Sequence, residues 1–250
     1  MNNILSYTGS MKDIHIRKYI PDYIDTYVEP FAGGFSGVFN LMEDGWINKR
    51  IILNDKDKEV INFWKCVQVD SDELYKHIVN MNQQLNYNKN TSVEEKLTNL
   101  IVDKTNKFDL AAYEYLIRTN KLFSRYKRKD IKELKITSLD LYELSVQLMG
   151  VDILNMDYKD ILHMYDSDTT LFMIDPPYNV KSVDTYYRCE CSKFSHEELR
   201  DECRKLKGKW IVRYNDEELT RNLYNDTNIL FSISKKIIYM DYKENFYSNL

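Results

Sequence analysis

The sequence predicts an α/β protein with a mostly parallel sheet, an antiparallel C-terminal hairpin and a helical insertion. Three observations predict it. Short apolar runs alternate with helical periodicity over residues 27–67, whereas residues 70–150 show helical spacing and no convincing strand. Strand-like runs return at residue 151. The last two runs, at residues 228–233 and 235–240, are so close in sequence that only a tight antiparallel turn joins them.

The N-terminal elements follow a β-α-β-α order. Residues 27–31 form the first predicted strand, and residues 38–42 belong to the helix that follows it. Residues 50–53 form the second strand. Apolar side chains at 60, 61, 64 and 67 mark one face of the next helix. This order is typical of a parallel sheet covered by helices.

Three further strands are predicted after the insertion, at residues 151–156, 170–174 and 209–214, with a helix over residues 195–207 before the last of them. Each of these strands ends at a polar residue: Asp157, Asp175 and Asn215. Since parallel strands end at one edge of a sheet, we expect these polar side chains to share that edge.

The composition indicates a globular protein with a sizeable core. The chain has 250 residues and is 43% hydrophobic. No apolar run approaches the ~20 residues of a membrane span, and the N-terminus lacks a basic start followed by an apolar segment. We therefore expect a cytoplasmic protein, of a bacterium or of a phage-infected host, with no membrane partner.

The four cysteines suggest reduced thiols rather than a metal centre. They are Cys66, Cys189, Cys191 and Cys203. The last three could hold zinc together with His196, but their spacing fits no common structural zinc site. We expect no metal.

Glycines cluster at the end of the first strand. Three of the seven, Gly33, Gly34 and Gly37, fall within five residues. Glycine at this point allows a ligand to approach the backbone, although a simple tight turn is the alternative. Asp55, 22 residues after Gly33, is spaced to bind ribose hydroxyls, and Asp157 suits an adenine amine. The absence of a GxGxxG pattern disfavours NAD.

The segment Asp175-Pro176-Pro177-Tyr178 follows the apolar strand over residues 170–174. Proline fixes φ and has no N–H, so the Asp175 side chain and the Pro176 carbonyl can both accept hydrogen bonds from one exocyclic amino group. Tyr178 can stack on the ring that carries this amino group. An ordinary proline turn is the alternative.

A basic patch lies within the insertion, although the net charge of the chain is −4. Residues 118–135 contain eight basic and two acidic side chains, with Phe123 and Tyr126 among them. Such a patch is consistent with contacts to nucleic-acid phosphates, and a solvated helix face is the alternative.

Two motifs together resemble one enzyme family. The segments Glu29-Pro30-Phe31-Ala32-Gly33-Gly34 and Asp175-Pro176-Pro177-Tyr178 are similar to the glycine and catalytic motifs of the Dam-type, alpha-group DNA adenine-N6 methyltransferases. The resemblance implies a Rossmann-like methyltransferase sheet in a catalytic domain made of residues 1–69 and 151–250. It implies that residues 70–150 are a helical target-recognition insertion.

The resemblance also implies S-adenosylmethionine as the methyl donor. The implied cofactor-binding residues are Tyr7, Lys12, Glu29, Phe31, Gly33, Gly34, Asp55, Asp157 and Asp175. Tyr7 lies in a segment similar to the N-terminal motif of the family. The family usually has a lysine soon after the small residues of that motif, and here Met11 precedes Lys12.

The implied reaction is N6-methylation of an adenine flipped out of double-stranded DNA. The implied catalytic residues are Asp175, Pro176, Pro177 and Tyr178. The implied DNA-binding residues are Arg118, Asn120, Lys121, Arg125, Tyr126, Lys127, Arg128 and Lys129. Lys121 stands where the family often has glycine after asparagine.

Two alternatives stay open at this point. One is a cytosine-N4 or RNA amine methyltransferase, although an aspartate at position 175 favours adenine. The other is a catalytically silent DNA-binding relative, which would have no use for the acceptor pair at 175–176. The sequence does not specify the recognition site, the oligomeric state (a monomer is compatible), or whether the role is in restriction-modification, a phage or housekeeping.

Overall fold

The computed structural model describes most of the chain. The described residues are 4–5, 14–46, 49–85, 93–101, 105–124, 134, 136–178, 194–237 and 240–250. For residues 93–94, 96, 120–124, 235–237 and 240–242 it describes the backbone only.

The described residues form one seven-stranded sheet in the order β3-β2-β1-β4-β5-β7-β6. The strands are β1 Thr26–Glu29, β2 Arg50–Asn54, β3 Asp152–Leu154, β4 Thr170–Ile174, β5 Lys209–Asn215, β6 Asn228–Ile237 and β7 Met240–Ser248. Strand β1 is parallel to β2 and β4, and β4 is parallel to β5. Strand β7 is antiparallel to both β5 and β6. The predicted fold class is therefore confirmed.

The central strands are apolar, as is typical of parallel strands that are buried on both faces. All five residues of β4 are buried. One row of paired residues crosses the centre, in which Val28 of β1 faces Phe172 of β4 and Phe172 faces Trp210 of β5. These three side chains belong to one buried cluster. Its burial explains why short apolar runs identified these strands correctly.

The hairpin is antiparallel and its first strand begins at residue 228, as predicted, but the turn and the second strand lie further along the chain. The sequence indicated strands over residues 228–233 and 235–240, whereas β6 extends to Ile237 and β7 begins at Met240. Strand β7 was not located from the sequence because its polar side chains are typical of exposed residues, although several of them are buried. Glu244 and Asn245 are buried there, and each is hydrogen-bonded to a neighbouring strand.

The described residues contain nine helices. They are α1 Ser36–Glu43, α2 Lys58–Val69, α3 Ser71–Gln84, α4 Val93–Leu100, α5 Lys107–Ser124, α6 Ser138–Gln147, α7 Tyr158–Tyr165, α8 His196–Lys205 and α9 Glu218–Leu223. The described part of residues 70–150 is helical and has no strand, as predicted. Helices α7 and α9 had not been singled out. None of the helices is long and apolar enough, over the part of the chain described, to cross a membrane.

The described residues divide into two compact units. The sheet unit comprises Ile16–Ala32, Trp46–Lys56 and Leu154–Leu250. The helical unit comprises the described residues within Met1–His15, Gly33–Gly45 and Asp57–Ile153. Helices α1 and α2 thus belong to the same compact unit as the helices of residues 70–150. The functional division at residues 69 and 151 stays a prediction.

Candidate active site

The candidate site is built at the carboxyl edge of the sheet unit. Strands β1, β2 and β4 are parallel, so their last residues lie at one edge. Phe31 follows β1, Asp55 follows β2 and Asp175 follows β4. Asp55 and Asp175, two of the polar side chains predicted at strand ends, therefore share an edge.

Asn54 joins three strand ends at this edge. Its buried side-chain amide donates to the carbonyl of Pro30 at 3.0 Å and to that of Met156 at 3.1 Å. Its Oδ1 atom accepts from the Met156 backbone N–H at 2.8 Å. The backbone N–H of Asp55 also donates to the carbonyl of Leu154 at 3.3 Å. Asn54 thus holds the loops that carry Phe31, Asp55 and Asp157, a role that the sequence analysis missed.

Asp157 begins helix α7 and faces the same loops. Its Oδ1 atom accepts from the backbone N–H of Lys159 at 3.1 Å, which caps the helix. Its Oδ2 atom lies 3.3 Å from Nζ of Lys56. A carboxylate has further acceptor capacity beyond these two contacts, so the geometry is compatible with the predicted role toward an adenine amine.

Three aromatic rings of the sheet unit pack against one another, and one of them belongs to Tyr158, the residue after Asp157. Phe31, Tyr158 and Phe194, which we call the aromatic cluster, have ring centroids 5.1–5.6 Å apart. Burial raises the pKa of Tyr158, and the carboxylates of Glu198 and Asp157 raise it further, so its phenol stays neutral. Only Phe31 had been predicted. The signal for Tyr158 was its place directly after a strand-ending aspartate.

Glu29 and the glycines complete the predicted cofactor segment. Glu29 is buried at the end of β1 and accepts a 2.7 Å hydrogen bond from the hydroxyl of Tyr27. In the helical unit, Gly33 has a φ of 50°, the left-handed region that glycine adopts most easily. Its carbonyl accepts from the indole of Trp64 at 3.0 Å. Gly34 is buried beside it in sequence.

The Asp-Pro-Pro-Tyr segment leaves β4 with its aspartate engaged at both oxygens. The hydroxyl of Tyr178 donates to Oδ1 of Asp175 at 3.0 Å, and Nη1 of Arg213 donates to Oδ2 at 2.7 Å. Burial raises the pKa of Asp175, while Arg213 and the Tyr178 hydroxyl act in the opposite direction. Pro176 is buried and Pro177 is half-buried.

Arg213 is the largest omission of the sequence analysis. It lies inside β5, fully buried, and its Nη2 atom donates to Glu244 of β7 at 2.6 Å. Its guanidinium also lies 5.9 Å from the centroid of the Tyr178 ring. The signal in the sequence was an arginine within the apolar run of residues 209–214, since a buried charge requires partners.

Arg118 is placed differently from its prediction. It was expected to contact DNA, but it is buried in the helical unit. Its Nη2 atom lies 2.7 Å from Oδ2 of Asp57, and its Nε atom donates to Glu114. Asp57 also caps helix α2. Because a phosphate contact requires an exposed guanidinium, we reassign Arg118 to the packing of α5 against α2.

Several predicted residues are not described at side-chain level. Asn120 and Lys121 belong to α5, for which the backbone alone is described at these positions. The others lie outside the described residues: Tyr7, Lys12, Arg125, Tyr126, Lys127, Arg128 and Lys129. Their assignments stay predictions.

The cysteines and histidines within the described residues form no metal-binding group. Cys66 and Cys203 are buried free thiols. His196 packs its ring against Phe194 and hydrogen-bonds the hydroxyl of Tyr214 through Nδ1 at 2.8 Å. Cys189 and Cys191 lie outside the described residues.

The model of the D12 class N6 adenine-specific DNA methyltransferases matches residues 9–239 of the sequence. The chain belongs to this family. It is thus an adenine-specific DNA methyltransferase, and the resemblance drawn from its two motifs is confirmed. A comparison with curated proteins finds no match.

Proposed function

We propose that this methyltransferase transfers a methyl group from S-adenosylmethionine to N6 of an adenine that has left the DNA helix. One observation carries the proposal. Asp175 and Pro176 present a carboxylate and a carbonyl at the end of β4, the sheet edge that also carries Phe31 and Asp55. An amino group and an adenosine-bearing cofactor can therefore be bound at one edge.

The residues of the sheet unit suit an adenosine moiety. Asp55 offers a carboxylate for ribose hydroxyls, and Asp157 offers an acceptor for the adenine amine. The aromatic cluster supplies apolar ring surface beside Asp157. When bound, S-adenosylmethionine supplies an electrophilic methyl group on a sulfonium centre. The parts of Tyr7, Lys12, Glu29, Gly33 and Gly34 in binding it are further proposals.

Asp175 acts as an acceptor that orients the amine. The lone pair of an adenine amine is delocalised into the ring, which makes it a poor nucleophile. Hydrogen bonds from its two N–H groups to the Asp175 carboxylate and the Pro176 carbonyl favour a more tetrahedral nitrogen. The lone pair then points at the methyl group. Pro177 keeps the segment rigid, because its φ is fixed.

Tyr178 stacks on the adenine once the base is outside the duplex. Stacking on an aromatic side chain compensates for the stacking lost in the helix. Contacts from the basic patch to the DNA backbone supply the remaining binding energy. With Arg118 reassigned, the proposed contacts are Asn120, Lys121, Arg125, Tyr126, Lys127, Arg128 and Lys129.

The test uses purified protein, tritium-labelled S-adenosylmethionine and mixed-sequence duplex DNA, followed by digestion of the DNA to nucleosides. We expect label in N6-methyldeoxyadenosine and none after the substitution Asp175→Ala. The matched control is Asp201→Ala, an exposed aspartate of α8 paired with its neighbour Arg200. Equal activity of wild type and Asp175→Ala would refute the proposed role of Asp175.

The same digest decides between the alternatives. Label in N4-methylcytosine, or label on RNA but not DNA, would identify an amine methyltransferase of another specificity. Cofactor and DNA binding without turnover on any DNA would identify a silent relative. The intact acceptor pair of Asp175 and Pro176 favours a working enzyme, because a protein that only binds DNA has no use for it.

A further inference from the structure

Three charged side chains of the sheet unit form one buried network. Arg213 lies between Asp175 and Glu244, with 2.7 Å to the former and 2.6 Å to the latter. We propose that Arg213, anchored by Glu244, is a positioning residue that keeps the Asp175 carboxylate ionised and aimed at the amine. The inference rests on the proposed function and assigns it two residues to which the sequence analysis gave no role.

The register of the sheet brings these residues together. Ile174 of β4 pairs with Val212 of β5, so one residue further on Asp175 lies level with Arg213. Arg213 in turn faces Phe246 of β7. Glu244 lies two residues from Phe246 and therefore on the same face of the sheet. Three adjacent strands thus place the three charges on one face.

The guanidinium fixes the direction of the carboxylate. Arg213 uses Nη1 for Asp175 and Nη2 for Glu244, so both ends of its rigid, planar fork are held. The side chains of Arg213 and Glu244 are 1% and 2% exposed, so water does not compete for the contact between them. Because Oδ2 of Asp175 is bound, its Oδ1 atom is the acceptor directed at other donors. In this structure that donor is the Tyr178 hydroxyl.

The network also determines the charge of Asp175. Burial raises the pKa of this carboxyl, Arg213 is the largest opposing influence, and Tyr178 adds a hydrogen bond to the ionised form. Glu244 acts in the raising direction. Among the described residues, Asp175 also raises the pKa of the Tyr27 and Tyr214 phenols, and both stay neutral, mainly because they are buried.

Ionisation matters because the two forms of Asp175 act oppositely on an amine. The carboxylate accepts an N–H and leaves the nitrogen lone pair free. A protonated carboxyl offers an O–H donor instead, which would engage that lone pair. The charge of Arg213 therefore maintains the form of Asp175 that permits methyl transfer.

The first experiment measures kcat and KM as a function of pH for wild type and Arg213→Met. The acidic limb is the low-pH part of the profile of kcat against pH, where kcat falls as Asp175 takes up a proton. We expect this limb to move to higher pH in the variant. At a fixed pH on the limb, kcat should fall about tenfold for each pH unit that the limb moves. We expect KM for DNA to change little. Arg204→Met, which removes an exposed arginine of α8 paired with Asp226, is the control and should keep the wild-type limb.

The double variant Arg213→Met/Glu244→Met separates positioning from folding. It removes both members of the buried Arg213–Glu244 pair and retains apolar volume, so it should fold more stably than Arg213→Met alone. If Arg213 positions Asp175, thermal stability recovers but the acidic limb stays at a higher pH than in wild type, because Arg213 influences the pKa of Asp175 more than Glu244 does; it lies below the limb of Arg213→Met, since Glu244 no longer raises that pKa. A double variant with the wild-type limb would show that Arg213 is merely structural and overturn the proposal.

If the methionine variants do not fold, Arg213→Lys tests whether Arg213 orients the Asp175 carboxylate. Lysine keeps the positive charge but lacks the planar fork. We expect a limb close to that of wild type and a lower plateau of kcat, and an unchanged plateau would contradict positioning. A wild-type enzyme that makes no methyladenine would instead refute the proposed function. That failure is seen before any variant is compared.

Discussion

The hydroxyl of Tyr178 donates a 3.0 Å hydrogen bond to Oδ1 of Asp175, so the two ends of the Asp-Pro-Pro-Tyr segment contact each other. The tyrosine that we propose as the stacking surface therefore also binds the proposed catalytic acceptor. An adenine amine that approaches Oδ1 competes with this hydroxyl, or shares the oxygen with it, since a carboxylate oxygen has two acceptor positions.

The two functions of Tyr178 can be separated by a pair of substitutions. Tyr178→Phe keeps the ring and removes the hydroxyl, whereas Tyr178→Ala removes both. We expect Tyr178→Ala to lose about 1–3 kcal/mol of stacking, measured as kcat/KM on DNA. Tyr178→Phe should lose much less. Equal losses in the two variants would mean that the hydroxyl, not the ring, is what the reaction needs.

Tyr178→Phe also changes the pH dependence in a defined direction. The hydroxyl lowers the pKa of Asp175, whose burial raises it. Without the hydroxyl that pKa rises, so the ionised form is lost at a higher pH. We expect the acidic limb of kcat to move upward, as measured by initial rates over a pH series. A limb that moves downward would contradict the role of this hydrogen bond.

Asn54→Leu should weaken both folding and cofactor binding. The substitution removes one buried and two partly buried hydrogen bonds, and it takes the side-chain donor away from the Pro30 and Met156 carbonyls. We expect a loss of about 3 kcal/mol in the free energy of unfolding, measured with urea. The Kd for S-adenosylmethionine should rise as the loops move. Asn222→Leu, at an exposed position of α9, should change neither quantity.

His196 should make stability depend on pH. Burial lowers its pKa from the ordinary value of 6.5, so the folded protein holds it neutral. As the pH falls below 6.5, His196 in the unfolded chain takes up a proton, whereas His196 in the folded protein does so only at a lower pH. The free energy of unfolding therefore decreases as the pH falls from 6.5 to the pKa of His196 in the folded protein. We expect His196→Gln to flatten this dependence in urea titrations at neutral and mildly acidic pH. An equally steep fall in the variant would assign the effect to other groups.

Arg118 and Arg125 should behave differently. Arg118→Met leaves the carboxylates of Asp57 and Glu114 without this partner, and we expect a loss of about 3–5 kcal/mol in stability. Arg125→Met should leave stability unchanged. It should weaken DNA binding and reduce the slope of log K against log salt by about 1, as for one lost phosphate contact. If Arg118→Met instead weakened DNA binding and left stability unchanged, Arg118 would be a DNA contact, as the sequence predicted.

Local patterns in the sequence determined the succession of strands and helices in residues 27–67, the helical middle and the strand ends at which Asp55, Asp157 and Asp175 lie. Each of these signals spans a few residues, and the direction of parallel strands brings the strand ends together. The strand β7 was mislocated because its charged residues are typical of an exposed tail. Their partners lie on other strands.

Tertiary structure alone decided the partners of the buried polar groups. Arg213 and Asp175 are 38 residues apart, Arg213 and Glu244 are 31 apart, and Asn54 reaches Met156 over 102 residues. Such pairs depend on strand register, which no local pattern encodes. For the same reason Arg118 appeared to belong to the basic patch, whereas the packing of α5 turned it inward. The sequence by itself therefore determined the family and the acceptor motif, and the register of the sheet decided what surrounds Asp175.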